Sequence, residues 1–188
     1  MRRLILFTAI VTGAFVGGGT AARGAYIYLK AQAAQFLIER AWEHNEFAGR
    51  AIEPWPWADT QVLARLSVPS RHIRQYVLAG AHGQALAFGP GHLSGTPMPG
   101  EAGNTVIAGH RDTHFRFLRD LTVGDDIVFD LPHGATVRYH VTRIWVTTDT
   151  DPRPLAGRTG RYLTLITCYP FDALSAGGPL RYVVEAQA

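Results

Sequence analysis

Cysteine is almost absent from this chain of 188 residues: Cys168 stands alone, beside two methionines. A lone thiol has no partner within the chain, which excludes an internal disulfide and leaves Cys168 to chemistry or to packing. Dense charge is lacking too. The net charge is +3, and the basic residues, almost all arginine, are scattered from Arg2 to Arg181 without a run. That pattern is a solvated surface and excludes a nucleic-acid footprint. There is no internal repeat and no low-complexity tract. His110 and His114 have the spacing of a helical metal pair, yet no cysteine or carboxylate set completes a site around them. Turn chemistry accounts for Asp125, Asp126, Asp149 and Asp151, so neither calcium nor any other cofactor is expected.

What is present begins with an apolar N-terminus. Met1-Arg2-Arg3 precedes an uncharged stretch over residues 4–22 that ends at Arg23. As a helix it would measure roughly 28 Å, enough to cross a hydrocarbon core. The expectation is a retained signal anchor; the alternative is a signal peptide cleaved near Ala21 and Ala22. Arg2 and Arg3 favour a cytoplasmic N-terminus, which puts the remainder on the extracytoplasmic side of the membrane. A single thiol in that compartment must escape stray oxidation, which points to a kept use.

The rest divides by texture into a stalk over residues 25–58 and a domain over 59–188, after the anchor at 1–24. Tyr26, Leu29, Ala33, Phe36, Leu37, Arg40 and Ala41 recur at helical spacing, which predicts an amphipathic helix from Ala25 to Phe47. Pro54-Trp55-Pro56-Trp57 breaks it. The two tryptophans read as an interfacial anchor or as a lid over the base of the domain. From Thr60 onward short β-like segments alternate with Gly, Pro and Asp: Val62–Val68, Ile73–Leu78, Thr105–Ala108, Asp126–Leu131, Thr136–Thr147, Tyr162–Thr167 and Leu180–Glu185. An apolar fraction of 47% supports a packed core, and so many strands with so little helix predict a closed or nearly closed β-barrel. Short helices are expected at Gln84–Phe88 and Phe115–Leu121.

Three residues fall at strand ends: His110 after Thr105-Val106-Ile107-Ala108-Gly109, Cys168 after Tyr162–Thr167, and Arg181 opening the last strand. A barrel gathers strand ends at one rim. A thiol nucleophile needs an acid/base to protonate its leaving group and a donor to hold the oxyanion. Histidine and arginine supply both. Asp112 reads as an orienter of His110 or as a cap on the helix that follows, and His82 and His92 read as surface or loop-packing residues.

The wording around these residues is specific. Thr164-Leu165-Ile166-Thr167-Cys168 matches the TLxTC signature of sortases, and from about Thr60 to its end the chain resembles that family. Gly109-His110-Arg111-Asp112, followed by Phe115, Phe117, Leu118, Leu121 and Gly124-Asp125, resembles the family's passage from histidine strand to short helix to next strand. Gly89-Pro90-Gly91-His92 with Gly95-Thr96 and Pro99-Gly100 resembles the loop that precedes it, and the chain is most similar to the proteobacterial type, class GN.

The resemblance implies an eight-stranded sortase barrel, mainly β, behind a transmembrane or amphipathic helix. It also implies a cysteine transpeptidase with Cys168 as nucleophile, His110 as acid/base and Arg181 on the substrate carbonyl. Thr167 would present a backbone or hydroxyl donor nearby, and Pro152 and Arg153 would bind substrate within a crossing over residues 147–160 that keeps water from the thioester. The expected substrate is a secreted protein with a C-terminal sorting signal, opened at a Thr–Gly-like bond and passed to an amine. A purely hydrolytic peptidase of this fold and a non-catalytic peptide-binding barrel are the rival readings.

Overall fold

Strand β1 (Val62–Val68) buries every second residue, and Ala64, Leu66 and Val68 are fully enclosed. That alternation is what one face of a sheet imposes on a strand turned toward a core. The computed structural model describes residues 23–24, 26, 29–44, 53–173, 175 and 177–188. β1 pairs antiparallel with β2 (Ile73–Ala79) on one side and with β5 (Asp126–Asp130) on the other. With β3 (Gly91–His92), β4 (Gly103–Ala108), β6 (Thr136–Thr148), β7 (Arg161–Tyr169) and β8 (Leu180–Gln187), the order around the closed barrel is β1-β2-β3-β4-β7-β8-β6-β5. Closure leaves no free sheet edge. Leu66, Ile107, Phe115, Phe129, Tyr139 and Leu165 fill the interior, each contributing about 1.5–3 kcal/mol on burial.

The mainly β, eight-stranded barrel with few short helices agrees with the sequence reading. The segments expected as strands all recur, most of them longer by a residue or two. β3 is new: Gly91-His92 reads as loop, because two residues carry no alternation. It is set from outside, pairing parallel with β2 and antiparallel with β4. A Cβ on Gly91 would lie 2.2 Å from the Gly80 carbonyl oxygen, so only glycine lets these backbones approach. The helix expected at Gln84–Phe88 is α2 (Gly83–Phe88), and the one near Phe115–Leu121 is a 3-10 turn over Arg116–Asp120.

Residues 29–44 form helix α1, with a buried face different from the one expected. Tyr26, Leu29 and Phe36 are exposed, whereas Ile38, Ala41 and Trp42 pack against Val62, Leu78 and Ala85. Ile38 and Trp42, four apart, carry the larger apolar volume on one side and set the phase. Trp55 meets Phe88 edge-on at 5.2 Å, as the lid reading requires, while Trp57 is 81% exposed. The chain divides into compact units at Met1–Phe36 and Leu37–Ala188; the barrel and all that follows lie in the second. Among the described residues no helix is long and apolar enough to cross a membrane. The span expected at residues 4–22 lies outside the described residues.

Candidate active site

Strand alternation decides which face each candidate occupies. On β7, Leu163 and Leu165 enter the core, so Thr167 points inward and Cys168 points out. Cys168 is paired with Arg181 across the antiparallel β7–β8 ladder. Directly opposed residues share a face with Cβ atoms about 4.5–5.5 Å apart, so the thiol and the guanidinium rise from the same surface. β4 runs parallel to β7 with Ala108 opposite Ile166. Two further residues bring His110 level with Cys168. The register is tied at that point: the Gly109 amide donates to the Ile166 carbonyl at 3.1 Å, and the Thr167 hydroxyl donates to the Gly109 carbonyl at 2.7 Å. His110, Cys168, Arg181 and, one strand further, Thr147 therefore form a row across the outside of the barrel. Beneath them lies an apolar row from Ala108 through Ile166 to Val183.

Of the two donors expected of Thr167, the hydroxyl is committed elsewhere: the residue is 2% exposed, and its hydroxyl faces the interior and staples β7 to the end of β4. Arg181 is half-buried. Its Nη1 donates to the Gly178 and Leu180 carbonyls at 2.6 and 2.9 Å, and its Nη2 lies 3.5 Å from the Asp149 carboxylate. Asp112 neither orients His110 nor caps the turn after it; its carboxylate accepts from Arg111 Nε at 3.0 Å. Of the two readings of His92, loop packing holds. The residue is buried, with its ring against the Pro97 carbonyl and the Thr96 hydroxyl at 3.0 and 3.1 Å.

Gly109 is fixed by packing. A Cβ there would lie 2.7 Å from the ring of the fully buried Phe115. Gly109→Ala is expected to destabilise the barrel by about 1–3 kcal/mol through overpacking. Thermal denaturation reads this as a Tm lowered by about 2–4 °C per kcal/mol for a chain of this size. Adding Phe115→Leu should return part of the loss, because the two residues share one space.

The crossing between β6 and β7 covers the outer face beside this row. Pro154, not Pro152, is its buried proline, in a 3-10 turn over Arg153–Leu155. The Asn104 carboxamide donates to the Pro154 and Ala156 carbonyls at 2.9 and 3.1 Å and accepts from the Thr164 hydroxyl at 2.7 Å. Arg158 pairs with Glu185 on β8. Pro152 and Arg153 are themselves exposed, and the Arg153 guanidinium is engaged by Asp151 at 2.8 Å. That guanidinium, and then the Thr147 hydroxyl, hold the Asp151 carboxyl well below the usual carboxylate range. Sequence reading missed Asn104, whose signal was an amide-bearing polar residue opening an otherwise apolar strand.

His114 lies beside His110, with Nδ1 3.1 Å from the Gln75 side-chain oxygen. Burial first, and the charge of His110 among the lesser causes, lower its pKa against the pull of the Ala87 carbonyl. Among the described residues no cluster of three or more His, Cys, Asp or Glu side chains is placed to hold a metal ion.

A family model, the Sortase domain, matches residues 66–188. The chain belongs to the sortase family. It is 32% identical over 125 residues to Sortase D of Bacillus subtilis, covering 66% of this chain and 62% of that protein. It is 38% identical over 87 residues to Sortase SrtE1 of Streptomyces coelicolor, covering 40% of this chain and 25% of that protein. The chain thus matches less than two thirds of the length of either relative. Among solved structures, the barrel is similar to a Clostridium perfringens Sortase D5 transpeptidase, with a TM-score of 0.66, 24% identity and coverage of 83% of this chain and 98% of that one. It is similar also to sortase C-1 of Actinomyces oris, with a TM-score of 0.59, 31% identity and coverage of 66% and 70%. In this sortase the row of His110, Cys168 and Arg181 is what the fold brings together from the expected site; Pro152 and Arg153 stay on the rim of the covering loop.

Proposed function

We propose that this sortase is a membrane-anchored cysteine transpeptidase acting on the C-terminal sorting signal of a secreted protein, with its catalytic domain outside the inner membrane. The observation that carries the reading is the outward-facing row in which Cys168 is paired with Arg181 and level with His110. In it the Cys168 thiolate attacks the carbonyl carbon of a Thr–Gly-like bond, forming a C–S bond as the carbonyl π electrons move to oxygen. Arg181 donates to that oxyanion. Collapse breaks the C–N bond, and the His110 imidazolium gives its proton to the departing amine. The product is a thioester on Cys168. An acceptor amine then attacks it, His110 takes the amine proton, and the thiolate leaves as an amide forms. The half-buried Ala108 and Ile166 below Cys168 support an extended, partly apolar peptide as substrate, and the pinned β6–β7 crossing supports a wall that limits water.

Incubation with LPxTG-like peptides and a diamine tests the reading, followed by intact-protein mass spectrometry of the acyl-enzyme and analysis of products. A thioester on Cys168 and an amide carrying the diamine are expected. Acid as the sole product would mean a hydrolytic peptidase. If a peptide vinyl sulfone also leaves Cys168 unlabelled, the chain is a binding barrel.

A further inference from the structure

Arg111 follows His110 directly and is 3% exposed, an unusual place for a charge that is always present. Its guanidinium reaches across the rim to the β7–β8 connection. Nη1 donates to the Pro170 carbonyl at 2.8 Å, and Nη2 donates to the Ser175 and Ala173 carbonyls at 2.8 and 3.2 Å. Nε donates to Asp112, whose side chain is 60% exposed. A desolvated guanidinium persists only when its donors are satisfied, and here most of them are satisfied by backbone of one loop. The turn itself supplies the Pro170 carbonyl with a second, longer donor, the Ala173 amide at 3.4 Å, so the guanidinium tightens a turn that is only loosely closed by its own backbone.

We propose that Arg111 is a positioning residue for the acyl-transfer chemistry, holding the His110 strand end, Cys168 and the approach to Arg181 in one register. The inference rests on the sortase reading above. Arg111 is one residue from His110, and the carbonyls it binds begin two residues after Cys168 and continue toward Arg181. The connection it grips then passes through Gly177 and Gly178, both at positive φ (86° and 91°), where the backbone resists least. The Gly178 carbonyl is one of the two that Arg181 itself binds, the other being Leu180 on its own strand. Without the Arg111 fork, the loop can shift relative to β4, and Arg181 shifts with its anchor. Lysine cannot replace it, since a point charge cannot span several carbonyls in one plane.

The test uses the full chain with Arg111→Ala and Arg111→Lys, assayed with the peptide and diamine pair below the Tm of each variant. For Arg111→Ala, kcat is expected to fall about 100-fold while KM stays within about threefold, as misplacement without loss of binding requires. Ethylguanidinium added to Arg111→Ala is expected to restore at least about tenfold of the lost kcat, which a merely structural role would not allow. Arg111→Lys is expected to lose about 30-fold in kcat and serves as the reading if the alanine variant does not fold. A kcat within about threefold of wild type in either folded variant overturns the proposal, as does a loss that only follows the unfolded fraction. A wild-type chain that forms no acyl-enzyme overturns the sortase reading, and this inference with it.

Discussion

Cys168→Ala should produce a folded barrel that forms no thioester and no amide. The expected fall in kcat/KM is at least about 10⁵-fold, since loss of a covalent nucleophile removes the reaction path and not merely one contact. Cys168 faces outward and is half-buried, so truncating its sulfur leaves the core untouched and should change stability by no more than about 1 kcal/mol. An unchanged Tm beside an absent acyl-enzyme mass shift separates the chemical loss from unfolding. Turnover retained by Cys168→Ala would end the thioester mechanism.

Arg181→Ala is the next largest expected change. Removing one oxyanion donor costs about 10²–10³ in kcat. Arg181→Lys should recover only part of that, because an ammonium offers charge without the fork. The resting guanidinium is occupied by the Gly178 and Leu180 carbonyls, with Asp149 3.5 Å away. Substrate therefore has to share or displace those partners. Single-turnover measurement of acylation isolates the effect; a rate unchanged in Arg181→Ala would leave the oxyanion to another donor.

The barrel was legible because its strands announce themselves locally. Val62–Val68 alternates, and Val183-Val184 and Ile127-Val128-Phe129 are β-branched or aromatic runs bounded by turns. β3 was not, because its two residues form a strand only by pairing with β2 and β4, which no local pattern encodes. α1 was legible as a helix and misread in phase. Period alone cannot choose among overlapping apolar stripes when burial depends on a large side chain such as Trp42. The placement of His110 and Cys168 in one row was legible through its wording, since TLxTC and the GH pair sit at the ends of their strands, whereas Arg181 has no such motif of its own. Nothing in the local pattern marks Arg111, beside His110, as a buried residue. A guanidinium's burial depends on a loop some 60 residues downstream, a fact that lives in tertiary structure.

The row of reacting groups lies on the outer wall of a barrel that closes on itself and keeps its interior for packing. For the function proposed, a client consequently would not have to be swallowed. It can remain a fully folded body of any bulk, held off the surface, provided it trails a few residues of free chain long enough to lie along the wall. Under the proposed function, selection would act on the slack at a client's tail and not on the size and shape of what lies ahead of it.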